Sequence, residues 1–317
     1  MPPSSPRQGG RIAILTNHPL SAPLIGALSA RLSTVPVAVM DEEALLRGAL
    51  SLLQVDLPIH SLNRAGMPWK EALATWLKDI SAEALWVISF PHLLPPEILA
   101  LPPAGCWNFH LGHLPRYRGP DPVFWEILNG EPAGALTIHR MESGFDAGPI
   151  FRSYPVPIGE RETSGTHLRA LESACRQGGL DLLEQASSTT LISSASKQDE
   201  GEAQFWPRPG LEDQLVRWEL MSATRIDRLV RACNPFLNGA KASFRGKVFQ
   251  VLVTRPAGTH SDLPSGTILE IDPSGVAVVC ANGSVLKLHT VGTRDGLFAA
   301  SDWARAEDLL IGQHLQP

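Results

Sequence analysis

Short β-branched apolar runs alternate with helical stretches through the N-terminal third of this chain, and few folds accommodate that alternation. Arg11 to Thr16 is one such run, stopped by Asn17, His18 and Pro19. From about Leu20 to Leu32 the residues Leu24, Ile25, Leu28 and Leu32 recur at helical spacing. Val35 to Val39 then reads as a strand, and Asp41 to Leu53 as a helix with Asp41 at its N-cap. The extended piece Leu57 to His60, a helix from about Pro68 to Ile80, and strands at Leu85 to Ser89 and Gly105 to His110 continue the series. Strands alternating with helices predict a parallel, doubly wound α/β sheet covered on both faces. Ligands of such sheets bind beyond the carboxyl ends of the strands, so His18, Phe90 and Asn108 to His113 are candidate site positions.

Leu136 to His139 and Gly148 to Tyr154 read as two more strands, and Thr163 to Ala186 as a long helix. Ser187 to Gly201 is rich in Ser, Thr and small polar residues and reads as a connector. Beyond it the texture changes. An amphipathic helix, Ser222 to Cys233, carries Ile226, Leu229 and Val230 on one face. Short runs follow at Val248 to Thr254, Gly266 to Ile271, Val276 to Cys280 and Val285 to Thr290, separated by Gly, Pro, Asp and Asn turns. That rhythm predicts a small β-barrel. The expected organisation is a disordered polar leader at 1–10, a catalytic domain at 11–190, a linker at 191–207 and a C-terminal domain at 208–317. A length of 317 residues, 44% of them hydrophobic, suffices for two cores.

Composition narrows the classes. The run RIAILT is too short for a signal-peptide core or a membrane span. Four widely spaced cysteines, at 106, 175, 233 and 280, form no CxxC pair and read as buried apolar residues. A soluble, reduced, cytoplasmic protein is expected. The ten histidines show no HExxH or comparable ligand spacing, so no metal is expected.

The densest chemistry lies in Asn108-Phe-His-Leu-Gly-His-Leu-Pro-Arg-Tyr-Arg-Gly119, followed by a helix opening at Pro122, by Thr137-Ile-His139 and by Gly144-Phe-Asp-Ala-Gly148. Asn108 and His110 alternate along a strand end and so share a face. Asp146 sits between two glycines, where a tight turn could aim its carboxylate at that strand end. An amide, an imidazole and a carboxylate suit acyl transfer between nitrogens. The reaction passes through a tetrahedral oxyanion, which Asn108 and a protonated His110 can stabilise. The attacking amine loses a proton and the leaving nitrogen gains one, and a carboxylate-tuned histidine supports that exchange near neutral pH. Plainer readings stand beside this one. His139 in its strand reads as structural, His113 as a loop histidine or a site residue, Phe90 and Trp125 as packing, and Asp121 before Pro122 as a helix N-cap.

These motifs resemble a known family, the folate-dependent formyltransferases. Its central motif runs Asn-x-His-Pro-Ser-Leu-Leu-Pro-x-Tyr-Arg-Gly, with Thr-x-His and Asp-x-Gly downstream. Asn108, His110, Leu114, Pro115, Tyr117, Arg118, Gly119, Thr137, His139, Asp146 and Gly148 fall on matching positions. Arg231-Ala-Cys-Asn-Pro-Phe-Leu-Asn-Gly-Ala240 is similar to the Arg-Ala-x-x-Pro-x-Pro-Gly-Ala stretch of longer members. The resemblance implies a Rossmann-like, doubly wound, mostly parallel sheet with an OB-like C-terminal barrel. It implies an enzyme that moves a formyl group from the co-substrate 10-formyltetrahydrofolate to an amine, with Asn108, His110 and Asp146 as the catalytic set. It also implies that folate lies along Val87-Ile-Ser-Phe-Pro-His-Leu-Leu-Pro95, with Phe90, Leu93, Leu94, Pro95 and Gly144 on that side. His113, Arg116, Tyr117, Arg118 and Gly119 would face the acceptor. Two departures stand out. Leu111-Gly112-His113 replaces Pro-Ser-Leu, losing a hydroxyl and adding a titratable group, and Ala135-Leu136-Thr137 replaces Gly-Val-Thr, a packing change.

Charge bears on the acceptor. Affinity for a tRNA backbone comes from Lys and Arg neutralising phosphates. Arg208 to Pro317 carries 12 Lys and Arg against 11 Asp and Glu, with no basic run. Where tRNA-acting members resemble one another in a basic insertion after the second strand, this chain reads Met40-Asp-Glu-Glu-Ala-Leu-Leu-Arg47. A small-molecule amine is therefore expected: an amino-sugar nucleotide, an amino acid or hydroxylamine derivative, or a carrier-bound intermediate. The alternatives are methionyl-tRNA, which the charge disfavours, and hydrolysis of 10-formyltetrahydrofolate. The C-terminal domain would shape or cover the acceptor site, or build a homodimer.

Overall fold

The structure is a computed structural model that describes residues 11–40, 43–63, 66–186 and 195–317. The expected leader, the Asp41 cap and residues 187–194 of the expected connector lie outside the described residues. The chain divides into two compact units. The first comprises Met1–Pro122, Ala133–Pro157 and Leu168–Pro207, and the second Val123–Pro132, Ile158–His167 and Arg208–Pro317.

In the first unit seven strands form one sheet: β1 (Ile12–Thr16), β2 (Val37–Val39), β3 (Ile59–Ser61), β4 (Ala84–Ile88), β5 (Cys106–His110), β6 (Ala133–Arg140) and β7 (Ile150–Pro157). Their order is β3-β2-β1-β4-β5-β6-β7. Helices α1 (Ala22–Ser29), α2 (Glu43–Leu52), α3 (Trp69–Asp79) and α4 (Pro96–Leu99) connect the first five strands. Helix α5 (Pro122–Asn129) follows β5, and α6 (Ser164–Ala186) follows β7. The first five strands pair in parallel, as the alternation predicts, whereas β5 with β6 and β6 with β7 are antiparallel. Length decides the β6–β7 case, because Met141 to Pro149 is shorter than the dozen or so residues a crossover needs. The sheet is therefore mixed, with a parallel majority of Rossmann-like order.

Every residue of β1 and β4 is buried, as befits strands covered on both faces. Leu85 and Val87 pack with Leu73, Trp76 and Leu77 of α3 and with Leu94 and Ile98. Fully burying such a side chain is worth about 1.5–3 kcal/mol. Helix α1 starts later than its periodicity predicts because Pro19–Ser21 forms a separate 3-10 turn, capped by His18, whose Nδ1 accepts from Leu20 N–H at 3.1 Å. In α6, Gly178 and Gly179 sit mid-helix, where glycine costs about 1 kcal/mol relative to alanine. A Cβ at either would come within 2.8 Å of Ile138 or 2.3 Å of Leu24, so their absence lets α6 lie against β6 and α1.

In the second unit Ser222 caps α7 (Ala223–Cys233) by accepting from Arg225 N–H at 3.3 Å, and α7 buries Ile226, Leu229 and Val230. Six strands follow: β8 (Ala240–Phe244), β9 (Lys247–His260), β10 (Ile268–Asp272), β11 (Gly275–Val279), β12 (Ser284–Thr293) and β13 (Gly296–Ala299), then α8 (Ala300–Ala306). They form an antiparallel sheet ordered β10-β11-β12-β9-β8, with β13 also paired to β12. Strand β9 runs past its predicted end through exposed residues to His260. Near the C-terminus, His314 bridges to Thr267 and Gln316 to Ser243. All four cysteines are buried free thiols. No described helix is long and apolar enough to cross a membrane.

Candidate active site

Antiparallel register between β5 and β6 sets Asn108 opposite His139 and His110 opposite Thr137. Strand alternation then keeps all four side chains on one face. Asp146 reaches them from the turn between β6 and β7. Its backbone lies in the left-handed region at φ 49°, which aspartate tolerates better than most residues. Gly148 permits that turn, since a Cβ there would stand 1.9 Å from the Arg140 carbonyl oxygen.

Asp146 is the hub of the cluster. Its Oδ1 accepts from Asn108 Nδ2 at 3.1 Å and lies 3.4 Å from His139 Nε2 and 3.6 Å from His110 Nδ1. Its Oδ2 accepts from the Gly119 backbone N–H at 3.0 Å. His110 Nε2 is 2.7 Å from the Tyr117 carbonyl, so that nitrogen carries a hydrogen and donates it. His139 Nδ1 likewise donates to the Arg140 carbonyl at 2.9 Å, and its Nε2 accepts from Asn108 Nδ2 at 3.2 Å.

Burial lowers the pKa of His110 below 6.5, with the Asp146 charge opposing and His139 adding to the effect. Burial alone would raise Asp146. The adjacent His110 and His139 and the Gly119 N–H outweigh it and hold the carboxyl well below the usual carboxylate range. At neutral pH the cluster is therefore an ionised Asp146 beside a neutral His110. Both hydrogens of the Asn108 amide nitrogen are engaged, one by His139 and one by Asp146.

The residues expected to face an acceptor divide. Tyr117 is buried, its ring stacked on Trp206 at 5.8 Å. Arg118 is 9% exposed and its guanidinium is taken up by Gln198 and Glu200, while Gly119 gives its N–H to Asp146. These three brace the loop. His113 is half-buried, and Arg116 is exposed with its guanidinium 5.9 Å from the Tyr117 ring. Gly112 is buried, and a Cβ there would lie 2.4 Å from Pro122 Cβ and 3.0 Å from His110 Nε2. The family's serine does not fit at 112 unless Pro122 moves.

On the expected folate side, half-buried Phe90 meets Trp69 and His92 edge-on at 5.5 and 5.6 Å, and Trp69 stacks on His92. Leu93 is exposed, Pro95 half-buried before α4, and Gly144 exposed. Leu94 departs from expectation: it is 1% exposed and packs in the core with Val87 and Ile98, leaving no surface for a ligand.

Two residues escape the sequence reading. His139, read as structural, contacts both Asn108 and Asp146, and the Thr-x-His pattern was its available signal. Gln198 donates to the carbonyls of Asp146 and Gly148. It lies in the stretch expected to be a connector, where no local pattern marks it. Residues 195–207 belong to the first unit, with Phe205 bridged to Arg118 and Ser196 to Ile150.

Residues 9–180 match the family described as formyl transferase, and residues 210–305 its C-terminal domain. The chain is 33% identical to a methionyl-tRNA formyltransferase of Roseiflexus castenholzii over 285 residues, covering 89% of this chain and 85% of the relative. It is also 33% identical to one of Desulforamulus reducens over 69% of this chain and 68% of that one. Among solved structures, the N-formyltransferase from Helicobacter canadensis in complex with folinic acid and dTDP-3-aminofucose shares the fold, with a TM-score of 0.62 at 16% identity over 88% of this chain and 98% of that one. HypX from Aquifex aeolicus in complex with tetrahydrofolic acid gives the same TM-score at 16% identity, covering 93% of this chain and 47% of HypX.

Proposed function

The chain belongs to the formyl transferase family, and on that premise we propose that it moves the formyl group of 10-formyltetrahydrofolate to the primary amine or hydroxylamine of a small molecule. The observation that carries the chemistry is the convergence of Asn108, His110 and His139 on one ionised carboxylate, Asp146.

Each group has a role that its surroundings support. His110, neutral because it is buried, takes the proton of the attacking amine at Nδ1, the nitrogen without a hydrogen. Asp146, 3.6 Å away, stabilises the imidazolium so formed, which gives the proton to the folate nitrogen as its bond to the formyl carbon breaks, while Nε2 continues to donate to Tyr117. Asn108 turns one amide hydrogen toward the developing oxyanion. The donor supplies the activated formyl group when bound. Exposed Leu93, half-buried Phe90 and the Trp69–His92 stack provide the apolar and aromatic surface that suits its flat ring.

Charge supports the choice of a small acceptor. Residues 1–207 carry 15 Lys and Arg against 21 Asp and Glu, and residues 208–317 carry 12 against 11. Such surfaces neutralise few phosphates. The dTDP-3-aminofucose held by the Helicobacter canadensis protein is an acceptor of the proposed kind. Methionyl-tRNA is the second reading, favoured by the names of the two relatives above. We also infer that the C-terminal sheet closes as an OB-like barrel, because residues 314–316 pair near both of its ends.

The test is acceptor analysis at moderate salt. The protein is given 10-formyltetrahydrofolate with dTDP-3-aminofucose, an ornithine derivative or charged initiator tRNA in parallel. A formyl mass shift on a small amine, with folate release, is expected. Formate released without any amine would indicate hydrolysis. Efficient tRNA formylation that falls steeply with salt would overturn the charge argument. Independently, 5-formyltetrahydrofolate should raise the melting temperature by mass action, and less so in Phe90→Ala.

A further inference from the structure

We infer that Gln198 is a positioning residue for this reaction, clamping the Asp146 turn to the Tyr117–Gly119 loop through its side-chain amide. The inference rests on the formyl-transfer reading above. Gln198 Nε2 donates to the Asp146 carbonyl at 2.6 Å and to the Gly148 carbonyl at 2.8 Å. Its Oε1 accepts from Arg118 Nε at 3.2 Å and Nη2 at 2.9 Å. Glu200 takes the same guanidinium from the other side, at 3.0 Å from Nη1 and 2.7 Å from Nη2.

The segments joined in this way are the ones that hold the reacting groups. The Tyr117 carbonyl fixes His110 through Nε2, and the Gly119 N–H fixes Asp146 through Oδ2. Asp146 itself sits at φ 49°, a conformation that persists only when its surroundings hold it. Backbone bonds bring Gln198 within reach: Arg118 N–H donates to Gln204 O, Trp206 N–H to Arg118 O, and Gln204 N–H to Pro115 O, at 2.8–3.1 Å. The site demands two donors and one acceptor at the end of a two-methylene stem. Glutamine meets all three demands, glutamate has no donor, and asparagine is one carbon short.

Gln198→Glu separates positioning from tethering. A glutamate keeps the length and can pair with Arg118, so a residue needed only as a tether would tolerate it. It removes both donors to the Asp146 turn and sets a carboxylate against two carbonyl oxygens. In the full chain, Gln198→Glu and Gln198→Ala should each lower kcat by at least about tenfold with dTDP-3-aminofucose as amine, leaving KM for 10-formyltetrahydrofolate within about twofold. The ring ¹⁵N signals of His110 and His139, which need no acceptor, should move in both variants. Retained stabilisation by 5-formyltetrahydrofolate shows that each variant is folded. Histidine signals that stay in place in Gln198→Glu overturn the inference, as does a loss expressed in KM alone. If the wild-type protein formylates no small amine, the functional proposal fails while the histidine signals still decide the clamp.

Discussion

The two sheets of this molecule treat polar groups in opposite ways. At the end of β5 the first sheet gathers two histidines, an asparagine and an aspartate into a cluster whose histidines are buried. In the second, β11 is buried along its whole length and carries only Gly, Val and Ala. On β9 of the same sheet an exposed charge pairs outward, Lys247 with Glu307 at 2.8 Å, where Lys247 is 70% exposed. Exposed pairs contribute about 0–1 kcal/mol, whereas a buried carboxylate must be matched by several partners or it destabilises the fold. The first sheet therefore gives up apolar packing at one strand end to hold a charge, and the second is built for cohesion.

Loss of cohesion should be the largest effect. Trp303 is 3% exposed and its ring lies 4.4 Å from that of Phe249. Trp303→Ala should cost about 3–5 kcal/mol in denaturant unfolding while leaving the folate-dependent rise in melting temperature intact. A loss below about 1 kcal/mol would break the contrast between the sheets.

Two glycines sharpen it. Gly148→Ala drives a Cβ into the Arg140 carbonyl and should destabilise by about 1–3 kcal/mol, slowing turnover as the Asp146 turn shifts. Gly246 has φ 75° but open space around it, so Gly246→Ala should cost about 1 kcal/mol and leave turnover alone. Equal effects on turnover would place the chemistry outside the first sheet.

The smallest effect is in pH. The folded pKa of His110 is lowered, so its contribution to stability is present above 6.5 and lost as pH falls toward the folded value. Asp146 is also lowered, so its contribution is present above 3.8 and lost as pH falls through its folded value. Both make acid destabilising. Asp146→Asn removes the charge that raises His110, so the His110 titration followed by ring-proton shifts should move further down in pH. A midpoint that moves up would contradict the geometry.

Legibility in the sequence differed between the same two regions. Strands β1 and β4 are almost wholly apolar because both faces are covered, and that signal survives in sequence as Ile12–Leu15 and Ala84–Ile88. Asn108, His110 and Asp146 were legible because strand alternation and a Gly-bounded turn leave local traces. The reversal of β6 was not, since pairing direction depends on the connections and leaves no trace within the strand. Strand β8, Ala-Lys-Ala-Ser-Phe, hid behind small residues, and β13 spans only Gly296–Ala299. Gln198 was illegible for a different reason. Its partners lie 50 to 80 residues away in sequence, and only the fold brings it to them.

The most direct measurement of the central claim is formyl transfer by Asn108→Ala, His110→Ala and Asp146→Asn, each given the amine that the wild-type protein accepts. Each should lose at least about a hundredfold in kcat, the scale of removing an oxyanion donor or a general base. Each variant should remain folded, as shown by a retained rise in melting temperature with 5-formyltetrahydrofolate. Any one of the three that turns over at close to the wild-type rate would contradict a cluster built around Asp146.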